Sequence, residues 1–202
     1  MTTFIYLTWN LTMKKLLCLL ALSAATVLPV AHAATVFSAD HSSLGAFASP
    51  GQFTDTFTAS AGAAFLSFEI QGYGSLDGTN DYADIFNLSV NGTTLLRGSW
   101  DLGGGGANVI LLNPNNAKVT AQPSSYFGGG KASVYLPIAL LAGLNSITYS
   151  YSGTPQGLGD EGWGINAVNV SAVPEPGSYA MLLAGLGLVG FMTRRKAAKH
   201  AA

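Results

Sequence analysis

Cysteine is almost missing. The one residue of its kind, Cys18, lies in an apolar leader of the 202-residue chain. The part that follows can therefore form no disulfide, thiol nucleophile or thiolate metal site. Histidine is nearly as scarce, with only His32, His41 and His200. A Ser-His-Asp triad could draw only on His41, which falls in a weakly patterned segment and is expected to be solvated. A zinc site would have no cysteine and at most one ordered histidine. Charge is also sparse, at 9% of residues. Between the apolar ends the only basic residues are Arg97, Lys118 and Lys131. The acids there are Asp40, Asp55, Glu69, Asp77, Asp81, Asp84, Asp101, Asp160 and Glu161, so the interval carries 3 − 9 = −6. No basic stripe exists to neutralise phosphates, which excludes nucleic acid as a partner and argues against an anionic membrane surface. A two-carboxylate glycosidase needs a paired setting that no acidic pair here shows. The chain is read as a non-enzyme.

What is present begins with two apolar ends. Met13-Lys14-Lys15 opens a basic region, Leu16 to Leu22 is apolar, and small residues lead to Ala31-His32-Ala33. This is the layout of a secretory signal peptide over residues 1–33, cleaved after Ala33. Residues 1–12 carry no positive charge, so Met13 is the expected true start. At the other end Val173-Pro174-Glu175-Pro176 precedes an uncharged run from Tyr179 to Met192, and Arg194-Arg195-Lys196 follows it. Extended over about 177–193, the run reaches the ~17 residues a helix needs to span a bilayer. Its glycines suit a membrane helix, and the basic cluster would stay cytoplasmic. Pro174 and Pro176 keep regular structure from running into the span, because each lacks a backbone N–H.

That three-part order resembles the PEP-CTERM sorting signal of Gram-negative bacteria, over residues 173–199. The resemblance implies recognition by an exosortase-type enzyme at Pro174-Glu175-Pro176. It also implies Sec-dependent export, a transient stay in the inner membrane, and delivery to the cell surface or an extracellular polysaccharide matrix. The segment Phe53-Thr-Asp55-Thr-Phe57 is similar to the Phe-x-Asp-x-Phe hallmark of an FxDxF-type subgroup of these proteins, for which no activity is implied. Read from the residues alone, Phe53, Asp55 and Phe57 share one strand face. An acid between two aromatics there is expected to reach solvent or a backbone N–H near a sheet edge.

From Ala34 to Ala172 the sequence offers short strands separated by Gly, Asn and Pro turns. The strands are expected at 53–58, 65–71, 85–90, 93–100, 109–112, 118–122, 132–140, 146–152 and 163–171, with a loop and one edge strand before Gln52. Asn91-Gly92 is a two-residue hairpin turn, since both positions tolerate positive φ. Pro137 suits an edge or a bulge. Gly103–Gly106 and Gly128–Gly130 are read as flexible loops. The expected fold is all-β, a jelly-roll-like antiparallel β-sandwich over 34–172. Leu144-Asn-x-Ile147-x-Tyr149 and Gly162-Trp163-Gly-Ile165-Asn166-x-Val168 resemble the final strands of carbohydrate-binding and galactose-binding jelly rolls.

Two acidic clusters remain. Asp77, Asp81 and Asp84 share one loop, and Asp160 and Glu161 share another. If the loops meet they offer oxygen ligands to Ca²⁺, the one cofactor the sequence suggests; otherwise they are solvated acids. Tyr73, Tyr82, Trp100, Tyr126 and Trp163 could stack on a sugar or serve as packing. The functional expectation is a structural or adhesive component of the polysaccharide and biofilm matrix. The alternative is a lectin-like carbohydrate-binding module, with or without a Ca²⁺ requirement.

Overall fold

A computed structural model of the chain describes residues 34–174 and 182–191. The leader with Ala31 and Ala33, and Glu175, Pro176, Arg194, Arg195 and Lys196 of the tail, lie outside the described residues. Eleven strands are described: β1 (Thr35–Ala39), β2 (Phe47–Ala48), β3 (Gly51–Ala59), β4 (Gly62–Gly74), β5 (Ile85–Val90), β6 (Thr93–Ser99), β7 (Val109–Leu112), β8 (Lys118–Pro123), β9 (Gly130–Leu140), β10 (Gly143–Ser152) and β11 (Glu161–Ala172). One sheet runs β1-β11-β4-β9-β8, with β2 also on β11, and the other runs β3-β10-β5-β6-β7. Every pairing between these strands is antiparallel. The chain is thus an antiparallel β-sandwich.

Alternation of apolar and polar residues decides which face each strand buries. On β9 it is unbroken over eleven residues, and Val134, Leu136 and Ile138 point inward. β4 adds Leu66, Phe68 and Ile70. Phe86 and Leu88 of β5 and Ile147, Tyr149 and Tyr151 of β10 meet them from the other sheet. Each such side chain contributes about 1.5–3 kcal/mol by leaving water. No disulfide supplements this core among the described residues, which contain no cysteine.

The Asn91-Gly92 turn has φ of 50° and 78° at its two residues, as a tight hairpin needs. Pro137 lies within β9, a strand flanked on both sides. β8, however, pairs only as far as Tyr135, and the Pro137 carbonyl on that open side accepts from Asn115 Nδ2 at 2.9 Å. The missing N–H faces the part of the strand that β8 has already left. The segment before Gln52 holds more order than expected, since β1 and β2 both pair with β11. The glycine runs are not slack loops either. Gly103, at φ 116°, lies so close to Gly74 and Gly129 that a β-carbon would collide with their backbone. These glycines allow three loops to pack together at one end of the sandwich.

Residues 182–191 of the tail are helical. Among the described residues no helix is long and apolar enough to cross a membrane. The span expected over 177–193 extends on both sides outside the described residues. Val173 and Pro174 leave β11 in irregular backbone, and the Val173 N–H donates to Ala63 O at 2.9 Å.

Candidate functional site

Phe53, Asp55 and Phe57 face inward from β3, and Asp55 is buried rather than solvated. This corrects the expectation for both Asp55 and His41. The His41 ring nitrogen Nε2 lies 2.9 Å from Asp55 Oδ1, and the Tyr149 hydroxyl approaches Asp55 Oδ2 at 3.4 Å. The His41 ring meets Phe53 edge-on at 4.7 Å, and Phe57 stacks on Phe37 at 4.7 Å. The motif residues therefore fasten the segment after β1 to the body of the sandwich. Burial, then the charge of Asp55, holds the Tyr149 hydroxyl well above the ordinary tyrosine range.

The acidic loops meet at one end of the sandwich. The Ser75 N–H donates to Asp160 O at 2.7 Å and the Ser75 hydroxyl to Asp160 Oδ1 at 2.6 Å. This places Asp77, Asp84 and Glu161 together, each buried, with one carboxylate oxygen of each within 4.8 Å of the others. Asp81 lies exposed in the turn between Asp77 and Asp84 and is not part of this group. Asp160 lies next to it, partly exposed, and is likewise outside it.

Each of the three acids is held by a neighbour. Asp84 accepts from the Ser49 hydroxyl at 2.7 Å and from the Asp77 N–H at 3.0 Å. Asn80 Nδ2 donates to Asp77 Oδ1, and Gln156 Nε2 donates to Glu161 Oε1 at 2.6 Å. Glu161 Oε2 is buried and has no hydrogen-bond partner. Among the described residues, the two ion pairs are His41–Asp55 and Lys131–Glu69, so no cationic side chain neutralises the group. Like charges at such separations repel by about 3–4 kcal/mol per pair at an effective dielectric of about 20. Burial, then repulsion from Asp84, Asp77 and Asp160, pushes the Glu161 carboxyl up to about 7. Burial also raises Asp77 and Asp84. The Tyr151 hydroxyl is buried without a partner, and both its burial and the charge of Asp84 push it up.

Of the aromatics considered for sugar stacking, Trp163 and Trp100 are core residues. Trp163 is committed to packing by its Nε1 bond to Ala48 O at 2.9 Å, and Tyr73 is half-buried. Tyr82 and Tyr126 are exposed, and Phe127 meets Tyr126 edge-on at 4.6 Å. The Phe127 N–H donates to Gly103 O at 2.9 Å, which puts this pair at the acidic end. The sequence reading missed Phe127, Ser49 and Gln156. Phe127 adjoins a candidate and was legible in principle. Ser49 stands 35 residues from Asp84 and gives no local signal.

The sandwich has distant likenesses among solved structures. Dimeric latent PorU from Porphyromonas gingivalis is 15% identical at a TM-score of 0.41, over 63% of this chain and 10% of that one. The exo-beta-1,3-galactanase from Phanerochaete chrysosporium is 18% identical at 0.33, over 70% and 29%. CBM35 from Cellvibrio japonicus Abf62 is 13% identical at 0.35, over 70% and 88%. The chain thus spans less than a third of the first two, and none of these likenesses bears on activity. No curated protein matches the chain. At the other end of the sandwich from the acids, where β11 runs out into Val173 and Pro174, residues 172–196 match the PEP-CTERM protein-sorting motif, the mark of an exported protein processed by an exosortase.

Proposed function

We propose that the chain is an exported, non-enzymatic component of the extracellular polysaccharide or biofilm matrix of a Gram-negative cell. In this reading a signal peptide over 1–33 directs Sec export, and residues 34–172 form the delivered sandwich. Residues 173–199 hold it in the inner membrane until an exosortase acts at Pro174-Glu175-Pro176. Membership of the FxDxF-type subgroup rests on Phe53, Asp55 and Phe57, whose inward packing explains why that spacing is useful to the fold. The sorting motif at 172–196, directly behind the last strand, carries the proposal. The test is expression in the native host with Pro174, Glu175 and Pro176 replaced by alanine. The variant is expected to accumulate in the membrane fraction as a longer form, as wild type would in a strain without its exosortase. Equal processing and equal surface yield of both proteins would overturn the sorting role.

A second reading, a lectin-like module, is favoured by one observation. Tyr126 is 74% exposed and Phe127 53% exposed, side by side on a packed loop rather than a loose one. Aromatic rings of this kind are amphipathic contact groups, apolar over the ring with a polar hydroxyl on Tyr126. Binding on a glycan array that Tyr126→Ala abolishes would establish it; an array with no signal would leave the matrix reading alone.

A further inference from the structure

We propose that Asp77, Asp84 and Glu161 form a buried site for one calcium ion, which ties the loop after β4 to the start of β11. Three observations carry this beyond a cluster of acids. The carboxylates are buried together, within 4.8 Å of one another, with no cationic side chain paired to them among the described residues. Glu161 is fully buried, yet its Oε2 has no partner, so an oxygen of high charge density is left in the group without the bond its burial demands. The backbone is also kept against the acids. A β-carbon at Gly104 would strike the Asp77 carboxylate, and one at Gly153 would crowd Asp84 Oδ1.

The donor chemistry selects the ion. All three side chains offer oxygen, with no imidazole or thiolate, which favours hard cations over zinc or copper. The ligands come from an irregular loop and a strand end rather than from a regular frame. Calcium accepts such geometry, while magnesium demands near-ideal octahedral placement and gives up its water reluctantly. Asn80, Ser49 and Gln156 hold one oxygen of Asp77, Asp84 and Glu161 respectively. These contacts orient the carboxylates before the ion arrives. Asp160 and Asp101 add negative charge nearby, which strengthens the attraction for a dication. A proton shared among the acids is the competing arrangement, and it predicts no response to metal.

The experiment uses the purified full chain stripped with a chelator. Calcium chloride, magnesium chloride at equal ionic strength, and terbium are added in turn. Terbium resembles calcium in size and oxygen preference, and Trp163 lies two residues from Glu161 to excite its emission. Calcium is expected to raise the melting temperature well beyond magnesium and to displace bound terbium. Glu161→Gln should weaken calcium binding at least tenfold, while the stripped variant melts no lower than stripped wild type because a repulsive charge has gone. Asp81→Ala, outside the group, should bind as wild type does. The proposal is overturned if wild type shows neither sensitised terbium emission nor a calcium shift, or if magnesium reproduces the shift. It is also overturned if Glu161→Gln keeps full affinity. Should that variant fail to fold, the wild-type titrations decide alone.

Discussion

His41 Nε2 sits 2.9 Å from Asp55 Oδ1 and joins the turn after β1 to the inner face of β3. The two residues are fourteen apart in sequence, and neither has another ionic partner among the described residues. In a domain without disulfides this contact does part of a cross-link's work.

Asp55→Ala would leave both His41 and the Tyr149 hydroxyl short of an acceptor. It is expected to cost roughly 2–3 kcal/mol in urea unfolding, and His41→Ala about 1–2 kcal/mol. The double variant should lose less than the sum, because the two share one interaction. Strict additivity would show the contact to be idle.

Alkali should unfold the protein partly through Tyr149. Its hydroxyl is raised in the folded state, mainly by burial. The associated stability is fully present below the unfolded value near ~10 and is lost as pH rises above it, by up to about 1.4 kcal/mol per pH unit. Melting curves across that range should therefore fall more steeply for wild type than for Tyr149→Phe. Parallel slopes would count against the assignment.

Asn145, 1% exposed, ties the β9–β10 turn together. Its Oδ1 accepts from the Leu141 N–H and from Asn91 Nδ2, both at 2.9 Å, and its Nδ2 donates to Leu141 O at 2.9 Å and Gly143 O at 3.0 Å. Asn145→Leu should cost on the order of 2 kcal/mol, since it removes all four hydrogen bonds of one buried side chain. A loss below about 1 kcal/mol, measured by chemical unfolding, would contradict this account.

Reducing agent should leave the melting temperature unchanged. Cys18 is the one cysteine, and none lies in the described sandwich. A drop on adding dithiothreitol would point to a cross-link between two chains.

The strands were legible because alternation is a local signal. Leu66, Phe68 and Ile70, or Ile147, Tyr149 and Tyr151, announce their face within a few residues. Asn91-Gly92 was legible for the same reason. Partners across the fold were not. Nothing near Asp55 names His41, because the contact exists only once β1 has paired with β11. Nothing near Asp81 says that it stays outside while Asp77 and Asp84, four and three residues away, turn in. The glycines at 103 and 129 read as slack because composition cannot tell a loose loop from one packed too tightly for a β-carbon.

The Ala172 N–H donates to Ala34 O at 2.8 Å, so the chain enters and leaves the sandwich at one pole. Ala172 faces Ala64 near the start of β4, while Glu161 faces Gly74 at its far end. Ten residues of strand, about 33 Å, separate the two poles. Any pull on the tail is fed lengthwise into β11, an inner strand gripped by β1 on one side and β4 on the other. A strand drawn along its own axis must shear its ladder bonds together rather than unzip them one at a time. If the tail anchors the domain as proposed, the sandwich would resist force where it is held, and its acidic pole, with Tyr126 and Phe127, would lie at the end away from the anchor.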